Sequence, residues 1–246
     1  MWRMRNRRLP VKKLALYVVG FSLLFGLVGC GKNKYVFESE KPYYGIVTDC
    51  AMSVVNEGDR EGRAYVIIST GEKDERCFWL PNNYRHDAKI GDFVIIDSAI
   101  ESRTNLLVAT DIISGDEYVE VIKELFSVVE EEDTHGGFHG DGTYYLTLDC
   151  SQNKEVAMEL INSWNAFPLS QNLQTILYGS EARSSLLAEE TNIPEITNGY
   201  YYFCDRHSES TDASDDTNLF SRASYNFTLM IYDGETDRLY YVEFDT

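Results

Sequence analysis

The stretch AYVIISTGEKDERCFWL, residues 64–80, indicates the fold class, because two runs rich in β-branched and aromatic residues flank a polar turn with a glycine. Three further runs of this kind lie at residues 44–50, 92–97 and 105–112. Each run is bounded by Gly, Asn, Pro or Asp, which are typical of turns. Five short strands so close together predict a small closed or half-closed barrel over residues 42–115.

The segment KIGDFV, residues 89–94, resembles the turn-and-strand entry of OB-like barrels. This resemblance implies a five-stranded barrel of the OB-like class. Such barrels bind oligonucleotides or sugars, or serve only as spacers.

Beyond the barrel the spacing of apolar residues becomes helical. Val119, Ile122, Leu125 and Val129 fall on one face, which predicts a connecting helix over residues 116–132. We expect this helix to fray before Glu131, because carboxylates are unfavourable at the negative C-terminal pole of a helix.

Residues 133–246 mix strand and helix patterns and predict an α+β domain, an antiparallel sheet with helices on one face. Strands are expected at residues 143–150, 200–204, 225–232 and 239–244. Helices are expected at residues 153–164, with Ser151 or Asn153 as the cap, and at residues 181–190. The run 173–178 is apolar and could be of either type.

The first 29 residues have the layout of a secretory signal. Six cations and no acid precede Cys30, and the apolar run 14–28 is too short and too rich in glycine for a stable membrane-spanning helix. Leu27-Val28-Gly29-Cys30 resembles the lipobox of bacterial lipoproteins, which implies a diacylglyceryl group on Cys30 and cleavage before it. We therefore expect a signal peptide over residues 1–29, a tether over residues 30–41 and a lipid-anchored protein on the extracytoplasmic face of the cell membrane.

The predicted mature chain is strongly acidic. Without the six leader cations it has 16 basic against 40 acidic residues, a net charge of −24. Nucleic acid and anionic lipid head groups would be repelled, so neither is expected as a partner. The acidity suits a wet surface and tolerates cations.

Four cysteines remain beyond Cys30. An exported protein can form disulfides, and the pairs expected within each half are then Cys50–Cys77 and Cys150–Cys204. Buried free thiols are the alternative.

Two polar motifs stand out in the second half. THGGFHGDG, residues 134–142, is rich in glycine, which permits unusual backbone conformations. DRHSESTDASDD, residues 205–216, is an acidic loop rich in hydroxyls. The candidate binding residues in these motifs are His135, His139, Asp141, Asp205, Arg206 and His207.

Together with NFT at residues 226–228 and the ending EFDT at residues 243–246, these motifs resemble a family of uncharacterised lipoproteins from Gram-positive bacteria. The resemblance covers residues 133–246. It implies a shared domain and no activity, so no catalytic residue is carried over.

Three interpretations of the motifs are open. In the first, Arg206 and His207 tie the two segments together structurally. In the second, the candidate residues line a pocket for a cation, a glycan or a peptide. Zn²⁺ would suit His135, His139 and His207, and Ca²⁺ would suit an all-oxygen set, Asp212, Asp215 and Asp216.

In the third interpretation, His207 is a general base or a metal activates water. The chain lacks a G-x-S-x-G motif and recognisable paired carboxylates, which argues against an enzyme. We therefore predict no catalytic residue. We expect a membrane-anchored binding or interaction protein with an unknown protein or envelope ligand. The alternative is a metal-dependent hydrolase acting on envelope material. No cofactor other than a divalent cation is indicated.

Overall fold

The computed structural model describes residues 35–36, 42–51, 64–71, 74–81, 88–101, 105–136, 140–187 and 191–246. The predicted signal peptide, the lipobox and Cys30 lie outside these residues. In the described part, every helix is too short or too polar to traverse a bilayer. The described residues of the first half form six strands: β1 (Tyr35–Val36), β2 (Tyr43–Ala51), β3 (Tyr65–Ser69), β4 (Glu75–Trp79), β5 (Phe93–Glu101) and β6 (Leu106–Ile113).

Strands β2 to β6 form the predicted five-stranded barrel. β2 pairs with β3 and β5, β3 pairs with β4, and β6 closes the barrel by pairing antiparallel with β5 and parallel with β4. Alternate residues point inward and form the barrel core, among them Val66, Ile68, Phe78, Val94 and Ile96, all fully buried. These inward residues are β-branched or aromatic, the types that favour strands.

The first strand lies within the predicted tether, because Tyr35 and Val36 pair with Glu101 and Ile100 of β5. Two residues of the predicted tether therefore extend the barrel sheet.

The second half is an antiparallel six-stranded sheet in the order β7-β8-β12-β11-β10-β9. Three α-helices accompany it in the part of the chain that the structure describes. The elements are α1 (Asp116–Leu125), β7 (Ser127–Asp133), β8 (Gly142–Asp149), α2 (Lys154–Leu160), β9 (Asn165–Ala166), α3 (Gln171–Tyr178), β10 (Gly199–Asp205), β11 (Asn226–Asp233) and β12 (Arg238–Asp245).

Both faces of this sheet are buried. On one face α1 and α2 contribute Ile122 and Leu160 to a shared core with Leu146 and Leu148. The opposite face is also covered, by α3 and the irregular chain that follows it. Strands β8, β11 and β12 carry buried apolar residues on both faces, which accounts for this second layer.

The connecting helix predicted over residues 116–132 was wrong in its second half. The helix ends at Leu125, and Ser127–Asp133 is a strand paired with β8. Two valines followed by four acids favour an extended chain, since β-branching lowers helix propensity and carboxylates oppose the helix dipole.

The predicted helix over residues 181–190 was also wrong for its described part, residues 181–187, which form turns. This segment folds back on α3 instead: Leu186 N–H donates to the Ile176 carbonyl, and the Ser185 hydroxyl donates to the carbonyls of Ile176 and Leu177. The helix predicted over residues 153–164 is shorter, Lys154–Leu160, and lacks a side-chain cap. The Asn153 side chain donates to the Leu125 carbonyl.

One hydrophobic cluster joins the barrel to the second sheet, in addition to the core inside the barrel. Phe93 of β5 contacts the rings of Tyr118, Trp164 and Tyr202 edge-to-face, at centroid distances of 5.2, 6.0 and 6.0 Å. The buried Tyr202 hydroxyl donates to the Gly91 carbonyl at 2.5 Å and accepts from the Phe93 N–H at 3.1 Å. The two halves are therefore joined by buried hydrogen bonds as well as by apolar packing.

Gly91 shows how closely the halves approach. Its φ is +95°, and a Cβ there would lie 2.5 Å from the Cβ of Ala213 in the acidic loop. Only glycine combines this backbone conformation with this contact.

The four described cysteines are reduced thiols that form no disulfide. Cys50 and Cys77 lie on β2 and β4, which β3 separates, so the strands are roughly 9–10 Å apart. Cys150 follows β8 and Cys204 lies on β10, with two strands between them, a separation of roughly 14 Å. Both separations exceed the roughly 7 Å that a disulfide spans between Cα atoms, so neither predicted pairing fits the fold.

Candidate functional site

The glycine-rich motif is the loop of the β7–β8 hairpin. Thr134 and Thr143 pair at its base, where the Thr134 N–H donates to the Thr143 carbonyl and the Thr143 N–H donates to the Thr134 hydroxyl. A Cβ at Gly142 would lie 2.5 Å from the backbone nitrogen of His135, so glycine is required for the chain to turn here. His139 lies outside the described residues. Asp141 is exposed, and its carbonyl accepts from Gly136 N–H at 3.4 Å.

His135 lies between two carboxylates. Its Nδ1 is 2.8 Å from Asp133 Oδ1, which also accepts from the His135 backbone N–H. These two hydrogen bonds lower the pKa of Asp133. His135 Nε2 is 3.3 Å from Asp245 Oδ2, within ion-pair distance, but this buried atom has no hydrogen-bond partner.

Arg206 reaches the same carboxylate from the other motif. Its Nη2 donates to Asp245 Oδ1 at 3.0 Å and to the Phe227 carbonyl at 3.2 Å. Asp245 ends β12, which pairs with β8 on one side and β11 on the other. The structure therefore joins the two motifs through Asp245, a residue that sequence reasoning quoted only as part of the C-terminal ending.

Asp205 is a buried residue at the base of the acidic loop. Both of its oxygens accept from Arg222, at 2.9 and 2.5 Å, and its Oδ1 also accepts from the His207 N–H at 3.2 Å. Its side chain is fully buried and that of Arg222 is 8% exposed. Burial alone would raise the pKa of Asp205, but the bonds from Arg222 and His207 outweigh it and lower that pKa.

Arg222 was missed by the sequence analysis because it lies outside both motifs. The ion pair of Arg222 and Asp205 closes the loop of residues 206–221. Because both side chains are buried, we assign this pair the role of holding the loop in place.

His207 has a hydrogen-bond pattern that argues against a general base for serine. Its Nδ1 accepts from the Glu209 N–H at 3.2 Å, and its Nε2 is 3.1 Å from Ser224 Oγ. A neutral ring that accepts at Nδ1 carries its proton on Nε2, so Nε2 donates to Ser224. In a serine-activating pair the direction is reversed, and a carboxylate holds Nδ1–H.

The carboxylates of the acidic loop are engaged in local turns. Asp212 accepts from the N–H and hydroxyl of Ser214, Asp215 accepts likewise from Thr217, and Asp216 accepts from the Ser170 hydroxyl. No group of three or more His, Cys, Asp or Glu within the described ranges could hold a metal ion. Neither the zinc set without His139 nor the calcium set converges there.

The arrangement fits the structural interpretation for Arg206, with Asp245 as the shared partner. His207 contributes to the folding of its own loop and bonds to Ser224. Comparisons with protein-family models, curated proteins and solved structures found no match for this chain. What the fold defines is a β-rich α+β protein with an OB-like barrel fused to an antiparallel sheet.

Proposed function

We propose that this chain is a bacterial lipoprotein, anchored through Cys30 on the extracytoplasmic face of the membrane, whose folded part is a binding or interaction protein. The observation that carries the location is Leu27-Val28-Gly29-Cys30 directly after a basic and then apolar leader. Two acyl chains on one cysteine anchor a protein stably, whereas one chain binds only marginally.

The anchor would hold the barrel close to the membrane. Tyr35 of β1 follows Cys30 by five residues and pairs with β5. Since an extended residue spans at most about 3.5 Å, Tyr35 would lie within about 18 Å of the lipid-bearing residue. The acidic domain would be kept soluble and held off anionic head groups by its charge.

The binding role is supported by the OB-like barrel. The outer face of the second and third strands of such barrels is a ligand surface. Here β3 and β4 carry Tyr65 and Trp79 on this face, and the two rings pack edge-to-face with their centroids 6.2 Å apart. The Tyr65 hydroxyl donates a hydrogen bond to Asp49 Oδ2 at 2.9 Å. Trp79 is half-buried, which leaves part of its ring available to a ligand.

The location is tested by metabolic labelling with an alkyne-tagged fatty acid in the producing bacterium, with the parent chain, Cys30→Ser and the matched control Cys77→Ser. We expect label and membrane fractionation in the parent and the control, and loss of both in Cys30→Ser. An unlabelled parent, or label that survives in Cys30→Ser, would show that the address is wrong.

A further inference from the structure

The strand β7 forms an open edge of the second sheet. Among the described residues it pairs only with β8. The Thr134 N–H donates to the Thr143 carbonyl, so alternation along an antiparallel pair turns Glu132 and Glu130 toward β8 and leaves the backbone groups of Glu131 and Asp133 outward. Unpaired N–H and C=O groups in a row are a template for another strand.

This edge is long and open to solvent. Six of its seven residues are exposed, and Val128 and Val129 are 45% and 48% exposed. The opposite edge, β9, has only two residues. Among the two edges of this sheet, β7 is therefore the one long enough to accept a partner strand.

The charges of β7 select the partner. Register places Glu131 and Asp133 on the face of Leu146 and Tyr144, and Glu130 and Glu132 on the opposite face. Three of these acids have local contacts: Glu131 with Lys123, Glu130 with Asn192 and Asp133 with His135. An added strand would thus meet carboxylates on both faces.

Opposite charges across neighbouring strands are stabilising and like charges are destabilising. A second copy of this chain would bring the same acidic strand and a net charge of −18, so self-pairing at β7 is opposed. An extended segment with lysine or arginine at alternate positions meets both requirements, backbone pairing and charge.

We propose that β7 binds a basic, extended peptide segment of another protein by strand addition, with the outward backbone groups of Glu131 and Asp133 as the docking bonds. This surface is distinct from the barrel face of β3 and β4, so the inference goes beyond the proposed binding role. The exposed valines contribute apolar contact at one end of the strand.

The test uses the full chain purified in detergent and a fluorescent Lys-Val repeat peptide, with binding followed by anisotropy at physiological salt. A second peptide of the same sequence carries N-methyl groups on alternate residues, which keeps its charge and removes its backbone donors. We expect the unmodified peptide to bind and the N-methylated peptide to bind at least about tenfold more weakly, the loss of roughly one hydrogen bond.

Two variants separate backbone from charge. Glu131→Pro removes an outward N–H without removing a bond to β8, a substitution that edge strands tolerate, and should weaken binding more than Glu131→Gln does. Glu155→Gln, on α2, is the matched control and should bind like the parent. Unchanged unfolding midpoints confirm that the variants are folded.

Equal binding of both peptides would mean electrostatic adsorption only and would overturn the proposal, as would no binding. A dimer of the parent that Glu131→Pro abolishes would identify a second copy as the occupant and also overturn it. Peptide binding without lipid on Cys30 would support the binding site at β7 and refute the proposed lipid anchor. Lipid without peptide binding would do the reverse.

Discussion

Arg222 donates through both terminal nitrogens to Asp205, whose side chain is fully buried. The pair closes a loop that contains one of the two candidate motifs. Removing one partner of a buried pair costs more than the pair itself contributes, because the remaining charge is left in a low-dielectric site.

Arg222→Met should therefore lower the free energy of unfolding by about 3–5 kcal/mol. Urea denaturation of the purified chain measures this loss. Arg76→Met removes an exposed arginine that is 3.4 Å from Asp74, and should cost no more than about 1 kcal/mol. Equal losses in the two variants would contradict the assigned role of the buried pair.

The free energy of unfolding should depend on pH in part through the ionisation of Asp205. Its pKa is lowered in the folded protein, so its contribution is present above the unfolded value of about 3.9 and is lost as pH falls through the folded pKa. The difference in unfolding free energy between the parent and Asp205→Asn should shrink as pH is lowered below about 4. Asp141→Asn, at an exposed position, should follow the parent; a difference for Asp205→Asn that does not depend on pH would refute the linkage.

Tyr202→Phe should weaken the junction between the barrel and the sheet. The change removes bonds to the Gly91 carbonyl and the Phe93 N–H and leaves both groups buried, which should cost about 1–3 kcal/mol. Because one core spans both halves, parent and variant should each unfold in a single transition by calorimetry. Tyr200→Phe is the control with an unchanged midpoint. Two separate transitions in the parent would mean that the halves are independent.

The thiols should be free and unequal in reactivity. Burial raises the pKa of Cys150 to about 12 and that of Cys204 to about 11, and only the thiolate reacts. In native protein at mildly alkaline pH, iodoacetamide should modify the half-buried Cys50 and Cys77 before Cys150 and Cys204. Peptide mass spectrometry without reduction identifies the modified residues, and a Cys50–Cys77 or Cys150–Cys204 bridge in that experiment would contradict the fold.

Asp245 should couple the two motifs energetically. Its contacts with Arg206 and His135 are partly exposed, with side-chain exposures of 23% to 33%, so Asp245→Asn should cost about 1 kcal/mol. A double-mutant cycle with Arg206→Met should return a coupling energy of the same size, about 0.5–1 kcal/mol.

The same region also permits a test of the metal hypothesis. Elemental mass spectrometry on the full chain and on His135→Ala/His207→Ala should find no stoichiometric metal that the double substitution removes. A metal lost in that variant would restore the hydrolase alternative.

Local pattern predicted much of this architecture. The five barrel strands and the hairpin of β11 and β12 follow from β-branched and aromatic runs separated by turn residues, which act over a few neighbouring positions. Ser127–Asp133 shows where this reasoning failed. Its valines continue a helical spacing, but β-branching and adjacent carboxylates oppose a helix there, and pairing with β8 makes the segment a strand.

The candidate site shows the same limit. The two motifs were found by composition, but their meeting point, Asp245, and the partner of Asp205, Arg222, are ordinary residues in sequence. Neither belongs to a motif, and each acquires its role from a residue 17 or more positions away.

By itself the sequence determined the strand and turn pattern of the barrel, the acidity of the chain and the basic, then apolar character of its first 28 residues, because these depend on composition and near-neighbour spacing. Tertiary structure alone decided that the predicted cysteine pairs lie too far apart to bond and that both faces of the second sheet are covered. It also decided that Asp133, His135, Arg206 and Asp245 meet at one end of that sheet. Strand order sets these contacts, and strand order depends on which distant segments exclude water together.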